Sequence, residues 1–232
     1  MFGSSYYDTG VSYRSASAIN EAMSRVYMHM GLAVLTSMVV SMLVASSPAL
    51  MTFLFTGAIK WVVIFLPLVA VFGIGYALAN NPSKELAILM LHGFAALMGL
   101  SFATIFVVFK ISSIVSAFMG AAVLFGVMSI YGYFTKRSLD SIGKFLFIGL
   151  IALIIASIVN IFIGSTAFGM ALSALAIIIF LGLTAYDTQR IRETLQYEDA
   201  SVAAEISGAL SLYLNFINIL LSLLQLTGSK NE

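Results

Sequence analysis

The chain has 232 residues, of which 61% are hydrophobic and only 9% are charged, against roughly 25% charged in an average soluble domain. Such a composition excludes a soluble fold, which would lack the polar groups to cover its core. Eleven basic and ten acidic side chains leave a net charge of +1, so there is no basic surface for phosphates, and nucleic acid is excluded as a partner. The absence of cysteine rules out disulfides and thiolate-bound zinc.

Residues 1–25 read as a polar cytoplasmic segment, expected to be mobile until a short helix starts near Ser17 and leads into the first span. Apolar runs follow at 27–47, 58–79, 87–109, 111–134, 145–163, 170–187 and 206–227. Each is near the ~20 residues that a helix needs to cross ~30 Å of hydrocarbon. The first run is too long and starts too late for a cleaved signal peptide. Backbone groups in lipid must pair within their own segment, so these runs predict an all-α membrane protein with seven spans. Its transmembrane domain covers 26–228 and a short external tail covers 229–232. A polar stretch from Thr188 to Glu205, helical and amphipathic in part, separates the last two spans. Glycines 120, 126 and 132 in the fourth span, with Gly73 and Gly75 in the second, predict close helix contacts, and Pro67 predicts a kink.

Counted on alternate sides, the basic residues divide unequally. Arg14, Arg25, Lys84, Lys136, Arg137, Lys144, Arg190 and Arg192 share one side, while only Lys60, Lys110 and Lys230 lie on the other. The positive-inside rule then places the N-terminus in the cytoplasm and the C-terminus outside an inner or plasma membrane.

Polar groups inside spans are costly and so point to function. The candidates are His29, His92, Asn160, Asp187, Asn215, Asn218 and Gln225. Asp187 is the one carboxylate at a span boundary that follows a long apolar run. There it faces the partial negative charge of a helix end, which disfavours a carboxylate by ~0.3 to 1 kcal/mol. The plainer alternative is that Asp187 ends one helix and caps the next, with Arg190 paired to it. Asn215 and Asn218 are three residues apart and share a face of the last span; as an alternative they are interhelical hydrogen-bond glue worth ~0.6 kcal/mol each. For His29 an interfacial position near Tyr27 is the plain account, and for His92 a packed donor beside Gly93.

The segments Leu183-Thr-Ala-Tyr-Asp-Thr-Gln189 and Gly208-Ala-Leu-Ser-Leu-Tyr-Leu-Asn-Phe-Ile-Asn218 closely resemble the Bax-inhibitor family of membrane proteins. Met128-Ser-Ile-Tyr-Gly-Tyr-Phe-Thr-Lys-Arg137 is similar to its bacterial branch. The resemblance implies six helices around a central seventh, and a pH-sensitive calcium leak. It also implies a latch of two hydrogen-bonded aspartates, one ending the sixth helix and one within the seventh. Asp187 matches the first, but this chain has Asn215 where the family usually has the second. Some relatives hold an arginine near the cytoplasmic end of the second helix, where this chain runs Ala79-Asn-Asn-Pro82.

Other classes fare worse. An intramembrane aspartyl protease needs a second buried aspartate beside Tyr186-Asp187. Ser101 and His92 lie ~13 Å apart along one helix, too far to pair in a serine protease. A retinal protein needs a lysine that the last span lacks. The expectation is therefore a non-enzymatic cation leak without a cofactor, with calcium and protons as its ions. Asp187 and Asn215 form its gate; Asn218, Tyr213, Tyr186, Arg190 and Asn160 support the pathway or latch. Calcium binding at Asp187 is expected to be weak, because calcium takes about 6 to 8 oxygen ligands. The rival is a non-conducting regulator that binds another membrane protein.

Overall fold

Serine side chains start five helices, because an N-cap oxygen accepts from one of the amides that the first turn leaves unpaired. Ser15, Ser47, Ser83, Ser165 and Ser201 each accept from the amide three residues on. The computed structural model describes residues 12–197 and 200–231. Within them the helices are α1 (Ala16–Ala45), α2 (Pro48–Phe55), α3 (Ile59–Ala79), α4 (Lys84–Val108), α5 (Ile111–Phe134), α6 (Asp140–Ile163), α7 (Thr166–Leu195) and α8 (Val202–Thr227). Seven of these, all except α2, are long and apolar enough to cross a membrane. The protein is an all-α multi-pass membrane protein.

Two boundaries differ from expectation. The 46–58 connection carries a short helix, α2, started by Ser47 with Pro48 at its first position, where proline loses no hydrogen bond. α1 begins at Ala16, in line with the helix expected from near Ser17, and is continuous with the first span, whereas α7 continues to Leu195 rather than stopping at Asp187. Both run 30 residues, or ~45 Å, so each extends past the hydrocarbon into the interface. The expected N-terminal mobility falls, for residues 1–11, outside the described residues. Residues 12–15, in contrast, are tied to the α7–α8 connection. The Arg14 amide donates to the Gln196 carbonyl at 2.8 Å, and its guanidinium to the Ala200 carbonyl at 2.8 Å.

α8 is the central helix. Ile206, Ala209, Leu212, Tyr213 and Ile219 are fully enclosed on different faces of it, and it packs against α1, α3, α4, α5 and α7. α6 packs on α7 and approaches α8 across a cavity. Only Gly143 and Leu153 of α6 are buried, which leaves its aliphatic side chains for lipid.

Without a hydrophobic force between helices in lipid, close packing at small residues holds the bundle. At Gly132 a Cβ would collide with the Ala185 carbonyl on α7, and Gly143 of α6 lies under the Tyr186 ring. The other expected glycine contacts are not tight. Gly120 meets Leu223 only at ordinary distance, and Gly73, Gly75 and Gly126 face open space. Pro67 sits buried within a continuous α3.

A paired substitution tests this packing. Gly132→Ala should destabilise the protein by ~1 to 3 kcal/mol, since a backbone carbonyl cannot yield as a flexible side chain does. Gly126→Ala should be neutral or stabilising by up to ~1 kcal/mol. Melting in detergent checks both, and equal stability of the two variants would refute the Gly132 contact.

A candidate gate between α7 and α8

α7 and α8 run antiparallel and meet along two stripes of alternating three- and four-residue spacing, the period that keeps one helix face on its neighbour. On α8 the stripe is Ala204, Gly208, Ser211, Asn215, Asn218, Ser222 and Gln225. Opposite it, α7 presents Gly169, Ser173, Ala176, Phe180, Leu183, Asp187, Arg190 and Thr194. Small and polar side chains cannot fill the seam, and a cavity forms at each end. At the end where α1 starts and the basic residues gather, a cavity of about 240 Å³ is lined by Asp187, Arg190, Thr194, Ser207, Gly208 and Ser211. Towards the other end, a cavity of about 480 Å³ opens between α6, α7 and α8, and its polar lining includes Asn160, Ser173, Asn218, Ser222 and Gln225.

Asp187 and Asn215 lie between them. The Asn215 side-chain amide donates to the Asp187 carboxylate at 2.6 Å. Asn215 is buried and Asp187 half-buried. The cavities approach this pair from both sides: Phe180 and Asp187 on α7, and Ser211 and Asn218 on α8, are each seven residues apart, or ~10 Å of helix. About two turns of helix thus separate the two cavities, with Leu183 and the Asp187–Asn215 hydrogen bond between them.

The remaining predicted residues divide into groups. Arg190 shares the Asp187 cavity but makes no salt bridge with it among the described residues. Asp187 neither ends α7 nor caps α8, because α7 continues two turns beyond it and Ser201 is the cap. Arg192 turns away to donate to the Tyr133 carbonyl at 3.2 Å and lie over that ring. Asn218 donates to the Leu214 carbonyl at 2.8 Å and, with Asn160, lines the larger cavity. Tyr213 faces away from α7: its hydroxyl meets Ser37 of α1 at 2.6 Å, and its ring meets the edge of Phe94 on α4. Tyr186 packs on α6 at Gly143. His92 pairs through Nδ1 with the Thr36 hydroxyl at 2.9 Å, while the buried His29 Nδ1 has no partner among the described residues.

Sequence reasoning missed the ion pair beside this candidate site. Glu205, in the first turn of α8, is 4% exposed and accepts two hydrogen bonds from Arg25 of α1, at 2.8 and 2.6 Å. Glu205 ends the polar stretch that begins at Thr188, and nothing in the linear order brings residue 25 to residue 205. Ser211 was also missed, although its place in the three-four stripe was legible. Among the described residues no group of three or more His, Cys, Asp or Glu could hold a metal ion. Asp187 is the sole carboxylate of its cavity, so a calcium ion there would keep most of its water.

A family model described as inhibitor of apoptosis-promoting Bax1 matches residues 19–232. An inner membrane protein, YbhL, of Escherichia coli strain K12 is 37% identical over 213 residues, covering 90% of this chain and 91% of that protein. An uncharacterized protein of Rickettsia prowazekii is 33% identical over 215 residues, with 90% of each chain covered. One from Caulobacter vibrioides is 41% identical over 175 residues, covering 74% of this chain and 70% of its own.

Proposed function

This chain belongs to the Bax-inhibitor family, and from that premise we propose that it is a proton-gated cation leak of a bacterial inner membrane, with calcium among its ions. One observation carries the proposal: a part-buried Asp187–Asn215 hydrogen bond interrupts a polar helix seam with a cavity on either side. Polar residues inside a membrane bundle are costly and mark ion pathways or proton relays. The similarity to an inner membrane protein of Escherichia coli supports the location. The basic-residue bias supports a cytoplasmic N-terminus, which puts the Asp187 cavity on the cytoplasmic side.

In this mechanism the ionised carboxylate holds α7 to α8 through a charge-assisted bond, roughly twice as strong as one between neutral groups. Protonation removes the charge and reduces the bond to a neutral one. The seam then loosens between Leu183 and Asn215, and the two cavities join. A cation crossing the gap meets the Asn215 and Ser211 oxygens and the 187 side chain in turn.

Reconstitution tests the proposal. Liposomes containing only this protein and a trapped calcium indicator should show calcium entry that increases as the pH falls. A regulator that works by binding another membrane protein would conduct nothing there, and silence at every pH would overturn the leak. Flux that decreases with acid would overturn the latch.

A further inference from the structure

The larger cavity is chemically unlike the gate. Its polar wall consists of three carboxamides, Asn160, Asn218 and Gln225, and three hydroxyls, Ser157, Ser173 and Ser222. Among the described residues no charged side chain lines it. The arrangement is unfinished: the buried Asn160 Oδ1 has no hydrogen-bond partner among the described residues. A Cβ on Gly169 would lie 3.1 Å from the Asn160 amide nitrogen and 3.2 Å from that of Gln225. Two carboxamides therefore converge on one point of the cavity wall, and a side chain at 169 would press on both of them. A volume of about 480 Å³ admits several waters, each occupying ~30 Å³ in the liquid.

Resting on the leak proposed above, we infer that this cavity is a vestibule whose neutral oxygens admit monovalent cations, sodium or potassium, at least as readily as calcium. The cost of stripping water from an ion grows with the square of its charge, whereas its attraction to neutral dipoles grows only in proportion to the charge. Carboxylates close that gap for calcium sites, which draw on several oxygens and commonly on acidic ones; this vestibule has none. Neutral oxygens in a pore replace the water of monovalent ions, as rings of carbonyls do, while acidic rings serve other cation channels. Asp187, the single carboxylate further along, attracts any cation and adds no count of ligands that would favour calcium.

The test is parallel flux of sodium and calcium through the full-length protein in liposomes at acidic pH, under equal driving force. Sodium should pass at least as fast as calcium. Gln225→Glu, which adds a carboxylate at nearly the same shape, should let external calcium at about millimolar concentration block sodium flux, by about tenfold or more relative to the native protein. The double variant Asn160→Leu with Gln225→Leu should reduce both fluxes. Calcium flux without sodium flux would overturn the inference and leave the leak standing. Flux of both ions with neither variant changing it would overturn the assignment to this cavity. Absence of any cation flux would overturn the leak itself and the vestibule with it.

Discussion

Replacing Asp187 with asparagine should produce a protein whose cation flux no longer depends on pH and stays near the acid level of the native protein throughout. The variant keeps the shape of the side chain and a hydrogen bond to Asn215, but no charge remains to strengthen that bond. Among the residues of its cavity, Asp187 and Arg190 alone are ionisable, and arginine keeps its charge at any working pH. The converse substitution, Asn215→Asp, puts two carboxyl groups within the 2.6 Å now spanned by the amide hydrogen bond. Two such groups cannot both ionise cheaply, so they share a proton and titrate in two macroscopic steps. The pH of the flux transition should then move upward by about one unit or more, and its profile should change from one proton to two. Flux in liposomes scanned from acid to alkaline pH measures both variants. An Asp187→Asn protein that keeps the native pH profile would remove Asp187 from the gate. An Asn215→Asp protein with the native midpoint would show that the two positions are not coupled.

Removing Arg25 should have the largest effect on stability. Its guanidinium holds both oxygens of Glu205, whose side chain is 5% exposed against 40% for Arg25. Truncating one member of a buried pair typically costs ~3 to 5 kcal/mol, because the other charge is left without a partner. The exposure of Arg25 lets water and Glu21, 3.2 Å from Arg25, share in the pair, which reduces the expected loss for Arg25→Ala to ~2 to 3 kcal/mol. Combining Arg25→Met with Glu205→Leu should restore most of it, since an apolar pair of similar volume leaves no buried charge. Thermal unfolding in detergent distinguishes the cases. Should Arg25→Ala melt with the native protein, the contact between α1 and α8 contributes nothing to stability. The pair joins the first helix to the last within one turn of the Asp187 cavity, so its loss should also make that cavity less well defined.

Composition and run length by themselves determined that this is a seven-span helical membrane protein, because a bilayer allows few other solutions for apolar runs of ~20 residues. Local motifs carried the family resemblance, and Asp187 and Asn215, singled out from the sequence, meet in the structure. The spacing of Asn215 and Asn218 was legible as well, since helix geometry places residues three apart on one face. Other features depended on the partners that the chain brings together. Tyr213 and Tyr186 belong to the motifs that hold Asn215 and Asp187, yet the helix turns each toward a different neighbour, α1 with α4 in one case and α6 in the other. Asp187 looked like a helix end because the apolar run stops there, but packing against α5 and α8 carries α7 on to Leu195. Hydropathy marks where hydrocarbon ends, and a helix need not end with it. Glycine spacing likewise could not separate Gly132, pressed against Ala185, from Gly126 in open space, since only the position of the neighbouring helix distinguishes them. The Arg25–Glu205 pair and the two cavities flanking Asp187 are tertiary facts in the same sense. They depend on helices remote in sequence, whose arrangement is set by small-residue contacts and shape in lipid, and periodicity along a single chain does not encode which faces will meet.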